Sequence, residues 1–160
     1  MTPSGPSAER VRSALNALGL GLEVVELPAS TRTAQEAADA VGCRVEQIVK
    51  SIVFRGQRTD EPVLVLAGGA GRIDEALVGA LAGEPIGKAD ADYVRERTGF
   101  AIGGVSPVGS TAPIRTVIDE QLFECDAIWA AAGTPNSVFQ LRPADLRVLA
   151  PAAAIGKVKR

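Results

Sequence analysis

The chain of 160 residues contains no histidine. That absence excludes the serine–histidine–aspartate and cysteine–histidine nucleophile systems, the HExxH zinc helix, the two-histidine iron site and the C2H2 finger. Proton transfer near neutral pH is left to a shifted lysine or carboxylate, a group of the substrate, or a water held by the backbone. Aromatic residues make up only 4% of the chain, so Val, Leu, Ile and Ala must build the core. An aromatic platform for stacking single-stranded nucleic acid is not expected. The two cysteines, Cys43 and Cys125, show neither a CxxC nor a metal-ligand spacing, and reduced thiols in a cytoplasmic protein are the simpler expectation. No apolar run approaches the roughly 20 residues that cross a bilayer, and the start MTPSGPSAER lacks the order of a secretion signal. A soluble cytoplasmic protein without membrane partners is expected. The net charge of −2 and a pI near 5.2 argue against coating nucleic acid by bulk charge. DNA is not an expected partner, whereas a small local contact with nucleic acid remains compatible.

What is present suits one domain over residues 1–160, since 46% hydrophobic residues can fill a sizeable core at this length. Residues 1–6 read as a loose leader because of Pro3, Gly5 and Pro6. Ser7 is placed to cap a helix over about 7–18, with Val11, Leu15 and Leu18 on one stripe and Gly19 as its stop. A strand is expected over 22–27. Thr33-Ala34-Gln35-Glu36 matches a capping box opening a helix that ends at Gly42. A helical turn over 45–49, a strand over 50–55 and a strand over 62–67 buried on both faces follow. Asp74 and Asp90 open helices that stop near Gly83 and Gly99, and a short strand is expected over 100–102. Strands near 114–118, 127–132 and 137–141 have short connections suited to antiparallel pairing, before a helix over 143–149. Residues 150–160, ending Lys157-Val158-Lys159-Arg160, read as a solvated tail. The fold class is mixed α/β: a mostly antiparallel, partly barrel-like sheet surrounded by helices.

Neither glycine-rich nucleotide motif is complete. Gly69-Ala70-Gly71 begins like GxGxxG, but Asp74 stands at the third glycine, and Gly87-Lys88 is followed by Ala89 where a P-loop needs Ser or Thr. Turn glycines explain both. The pairs Asp60-Glu61, Asp74-Glu75 and Asp119-Glu120 fit caps and solvated loops better than an acid and base, because neighbours on a strand point apart. No metal or cofactor is expected, a carboxylate-held metal assembled from residues distant in sequence being the weaker alternative. Lys50 is more informative. Alternation puts this cation on the same side as Ile52 and Phe54, either as a snorkelling strand-end lysine or as an ammonium at the mouth of a pocket. Ser51 faces the other way, which suits a hydroxyl bonded within the sheet. Gly103-Gly104-Val105-Ser106-Pro107-Val108-Gly109 either makes a tight connection or turns backbone groups toward a ligand.

Three segments carry a family resemblance: Gln47-Ile48-Val49-Lys50-Ser51-Ile52-Val53-Phe54, Arg97-Thr98-Gly99-Phe100-Ala101-Ile102 leading into Gly103–Gly109, and Thr116-Val117-Ile118-Asp119. Together, in this order, they resemble the YbaK/ProX family, free-standing relatives of the editing domain inserted in bacterial prolyl-tRNA synthetases. The resemblance runs from about Ser7 to Leu149. It implies a trans-editing aminoacyl-tRNA deacylase that hydrolyses the ester joining a wrong amino acid to the tRNA 3′ adenosine. It implies Lys50 as the residue holding substrate at its reacting carbonyl, and Gly103, Gly104, Val105, Ser106 and Pro107 as the loop shaping the site. The partners implied are the 3′ acceptor end of an aminoacyl-tRNA and, by association, a synthetase. The alanine-specific branch has Asn where this chain has Ser51, and several relatives have His or Arg after a late glycine where Gly133 is followed by Thr134. Both departures touch the rim of the implied pocket. Hydroxyls at Ser51 and Thr134 favour a small aminoacyl group such as Ser, Thr, Ala or Cys. A non-catalytic module binding aminoacyl-tRNA or aminoacyl-adenylate is the alternative, and Asp119 reads as a turn or cap.

Overall fold

The computed structural model describes residues 5–28 and 33–160. Its elements are α1 (Pro6–Leu18), β1 (Val24–Glu26), α2 (Ala34–Val41), β2 (Val49–Gly56), β3 (Pro62–Gly68), α3 (Glu75–Ala82), β4 (Ile86–Lys88), α4 (Ala91–Thr98), β5 (Arg115–Asp119), β6 (Ile128–Ala131), β7 (Ser137–Leu141), α5 (Leu146–Leu149) and β8 (Ala154–Gly156). Short 3-10 turns occupy Val45–Gln47, Glu120–Glu124 and Pro143–Asp145. The apolar run Pro62–Gly68 is buried at every residue, because β3 is the middle strand of a five-stranded sheet ordered β4-β2-β3-β5-β8. A three-stranded antiparallel sheet, β1-β7-β6, lies beside it. A parallel bridge from Ile48 to Trp129 joins the two. The fold is thus mixed α/β, antiparallel at β2–β3 and β2–β4 and parallel at β3–β5 and β5–β8.

Alternation on β2 sorts the core. Ile52 and Phe54 pack with Val63, Val65 and Ala67 against Val78 and Leu81 of α3. Val49 and Val53 face the opposite way with Leu64 and Leu66, into the larger cluster with Val11 and Leu15 of α1, Phe100 and Val105. Burying one such aliphatic side chain contributes about 1.5–3 kcal/mol, so both faces hold the register Lys50↔Ala67 and Ser51↔Leu66.

Several expectations are corrected. Helix α1 starts before Ser7: Gly5 is its N-cap and Pro6 its first residue, a place where the fixed proline φ suits the helix and its missing N–H costs nothing. Residues 1–4 of the expected leader lie outside the described residues. Phe100–Ile102 forms no strand. Phe100 is a fully buried anchor, and the chain turns straight after it, with Gly104 N–H donating to Ala101 O at 3.0 Å. Strand β5 does not join β6 and β7 in an antiparallel set but inserts beside β3 in parallel. The tail is no solvated end: β8 extends the large sheet, Val158 is fully buried and Lys159 pairs with Ile73.

Candidate functional site

The two sheets leave a cavity of about 230 Å³ between them, at the first half of β2. There β2 has β3 on one side only, since β4 pairs with it no earlier than Phe54. One wall is α2, entered through the expected capping box, with Thr33 Oγ1 accepting from Glu36 N–H at 3.1 Å. Thr33, Ala34, Ala37 and Val41 line this wall, and Val49 to Ile52 form the floor. The far wall is Trp129, Ala130 and Ala131 of β6 with Ser137 and Val138 of β7, and Gly103, Val105 and Pro135 close the top.

Ser51 was expected to bond within the sheet. Its Oγ is instead buried with no hydrogen-bond partner among the described residues, and the residue lines the cavity. A strand satisfies only backbone groups, and the neighbouring side chains on that face, Val49, Val53 and Leu66, offer no acceptor. Lys50 lines the cavity at its edge, and its Nζ donates to Gly71 O at 3.3 Å. Its pKa is lowered, first by burial and then by the Lys159 ammonium, against the opposing pull of Asp119. Asp119 is the cap that its sequence suggested. Its Oδ1 accepts from Gln121 N–H at 3.0 Å, its Oδ2 accepts from Gly68 N–H at 3.1 Å, and Lys159 Nζ lies 3.2 Å from Oδ2.

The two loops singled out in the sequence come together. A Cβ on Gly104 would stand 2.9 Å from Gly133 O and from Thr134 Cα, so only glycine allows this approach. Gly133 itself has φ +98°, and its α-hydrogen side abuts Ser7 O, 2.6 Å from where a Cβ would be. Gly103 and Val105 reach the cavity, whereas Gly104 and Gly133 hold the loops behind it. Ser106 is fully buried, its Oγ accepting from Val108 N–H at 3.3 Å, and Pro107 faces a separate groove toward α1. Thr134 Oγ1 is engaged with Ser137 Oγ at 2.6 Å, and Ser137, not Thr134, lines the cavity. Sequence reasoning missed Trp129 and Ser137, although a single tryptophan alternating with Ile128 and Ala130 marks a strand face turned from the core. It also missed Lys159, hidden in a segment read as solvated. Among the described residues no three Cys, Asp or Glu side chains group as metal ligands, and no helix is long and apolar enough to cross a membrane.

Comparison with known proteins places the chain in a family. A model of the aminoacyl-tRNA editing domain matches residues 28–149. The uncharacterized protein YwhH of Bacillus subtilis is 32% identical over 124 residues, which are 78% of each chain. A proline–tRNA ligase of Kosmotoga olearia is 36% identical over 99 residues, 61% of this chain and 16% of the ligase. Among solved structures, one described as a candidate trans-editing enzyme for prolyl-tRNA synthetase superposes with a TM-score of 0.90 at 47% identity, covering 99% of both chains.

Proposed function

The chain belongs to the aminoacyl-tRNA editing domain family, and on that premise we propose that it acts in trans as a deacylase, hydrolysing the ester of a tRNA that carries a small, wrong amino acid. The observation that carries this reading is the convergence of Lys50, Ser51, Gly103 and Val105 on one cavity between the sheets. A volume of about 230 Å³ lies below the usual range for drug-sized ligands, roughly 300–1,000 Å³, and supports a small aminoacyl group. An aminoacyl ester is already activated, so a site without histidine needs only to position it, supply a nucleophile and stabilise the developing oxyanion.

In this reading the Lys50 ammonium exchanges Gly71 O for the ester carbonyl oxygen, a movement that its flexible four-carbon stem permits. The Gly103–Val105 backbone packs against the acyl group, and the unpartnered Ser51 Oγ takes a polar group of it, an amine or a side-chain hydroxyl. Water attacks the carbonyl carbon, the bond to the ribose oxygen breaks, and that oxygen leaves with a proton given up by the attacking water. The adenosine 2′-hydroxyl is a second proton carrier close enough to help. A small acyl group such as Ser, Thr, Ala or Cys fits this arrangement, with a proline tRNA supported by the names of the ligase and of the solved relative. The test is a panel of mischarged tRNAs with wild type and Lys50→Ala. The expected outcome is deacylation of at least one small-acyl tRNA by wild type and loss of about 100-fold or more in the variant. Equal rates for both overturn the Lys50 assignment.

One observation favours a second reading, a binding module without turnover: the Lys50 ammonium is already occupied by a backbone carbonyl. That reading requires saturable binding of a non-hydrolysable aminoacyl-adenosine analogue while every mischarged tRNA stays intact.

A further inference from the structure

The segment after β8 runs antiparallel to residues 72–74. Asp74 N–H donates to Val158 O at 2.8 Å, Ile73 bridges Lys159, and Arg160 N–H reaches Arg72 O at 3.4 Å. The bridge sets Arg72 directly opposite Arg160. Like charges facing each other across an antiparallel pair destabilise it, with Cβ atoms only about 5 Å apart. Both residues are exposed. The acids nearby do little to relieve them. Asp74 Oδ2 stands 3.9 Å from Arg160, its Oδ1 is spent capping α3, and Asp119 is paired with Lys159. Lys157, also exposed, precedes them. The turn that carries Arg72 also supplies the carbonyl that holds Lys50. Three of the chain's four lysines and two arginines thus gather around the turn that holds Lys50, in a protein whose net charge is −2.

Among the described residues Arg72 and Lys157 have no ion pair and Arg160 has only a long, exposed one to Asp74, and a local rule broken with so little internal compensation points to an external partner. We propose that Arg72, Lys157 and Arg160 form a rim that contacts phosphates of the tRNA acceptor end as its 3′ adenosine enters the cavity. The inference rests on the deacylase reading and extends it to how an acidic protein holds RNA. Lys159 is the rim's internal anchor: its ammonium is buried against Asp119 and Gln121, which ties the strip to the sheet.

The test measures binding of an RNA hairpin carrying an acceptor stem and a CCA end, across a range of salt concentrations. The variants are Arg72→Ala/Lys157→Ala and, as a charge-matched control, Lys88→Ala/Arg95→Ala. Lys88 and Arg95 lie at the other end of β2, where β4 pairs with Phe54 and α4 packs on the β2–β3 turn through Tyr93. Each lost phosphate contact lowers the slope of log K against log salt by about 0.7–0.9, so the rim variant is expected to lose about 1.4–1.8 from the slope. The control keeps the wild-type slope, and melting curves check that all three proteins fold. A rim variant with the wild-type slope and intact deacylation overturns the rim while the deacylase reading stands. Equal slope losses in both variants also overturn it, because the contact is then diffuse charge. A wild type that neither binds the hairpin nor deacylates any tRNA overturns both.

Discussion

Replacing Ser51 by alanine separates folding from function more cleanly than any other change at the site. The Ser51 Oγ is buried and bonds to nothing among the described residues. A buried hydroxyl left unbonded costs about 1–3 kcal/mol, and its removal at nearly constant volume relieves that cost. Ser51→Ala is therefore expected to leave stability unchanged or raise it by about 1 kcal/mol, a rise in melting temperature of about 2–4 °C for a chain of this size. If the hydroxyl bonds the acyl group, the same substitution weakens substrate binding by about 0.5–1.5 kcal/mol, roughly 2- to 12-fold. The loss is expected to be largest for the aminoacyl group whose own polar side chain meets the hydroxyl. Denaturant unfolding and deacylation kinetics on purified protein read the two effects separately. A loss of stability of 1 kcal/mol or more would refute the reasoning, since it would mean the hydroxyl is satisfied inside the folded protein.

Two further outcomes follow from charged groups that do not line the cavity. Lys159→Met leaves Asp119 buried without its cation, and since such a loss costs about 3–5 kcal/mol, with the Gly68 and Gln121 amides still bonded, the lower end is expected in denaturant unfolding; a change under about 1 kcal/mol would refute the anchor. The Glu84 carboxyl is held down to about 2, first by the Thr59 hydroxyl and then by Arg115, with the Thr59 and Arg58 amides also donating. Its folded pKa lies below its unfolded value, so its contribution is complete above about pH 4.5. That contribution is lost as pH falls toward 2. Melting temperatures of wild type should drop through this window more steeply than those of Glu84→Gln, and parallel pH profiles would count against the assignment.

The parts of the fold legible in the sequence are those written in short-range chemistry. The capping box at Thr33, the stops at Gly42, Gly83 and Gly99, and the two-faced burial of Pro62–Gly68 are local patterns, and the structure keeps them. The placement of β5 was not legible. Its strand pattern says only that it pairs, and the choice of β3 over β6 is made by which faces remain to be buried once both sheets form. The tail was misread for a related reason: Lys157 and Lys159 look solvated until Asp119, some 40 positions away, supplies a buried partner for one of them. At the site, an odd cation in an apolar strand and a cluster of glycines singled out Lys50 and Gly103–Val105 but left their bland readings open until the family resemblance, and the structure sets Lys50, Gly103 and Val105 on one cavity. Thr134 was not legible, because a hydroxyl's direction depends on a neighbour such as Ser137 that spacing does not reveal.

Adjacent residues of β2 point apart, with Lys50 turned toward the Gly71 side and Ser51 toward the space between the sheets. The site therefore depends on parity. A slip of β2 by one residue would exchange the ammonium and the hydroxyl between faces while leaving the composition untouched. Redesign of this pocket can therefore exchange side chains of like size and polarity along the strand, but a single inserted or deleted residue between Ile48 and Phe54 is expected to abolish it.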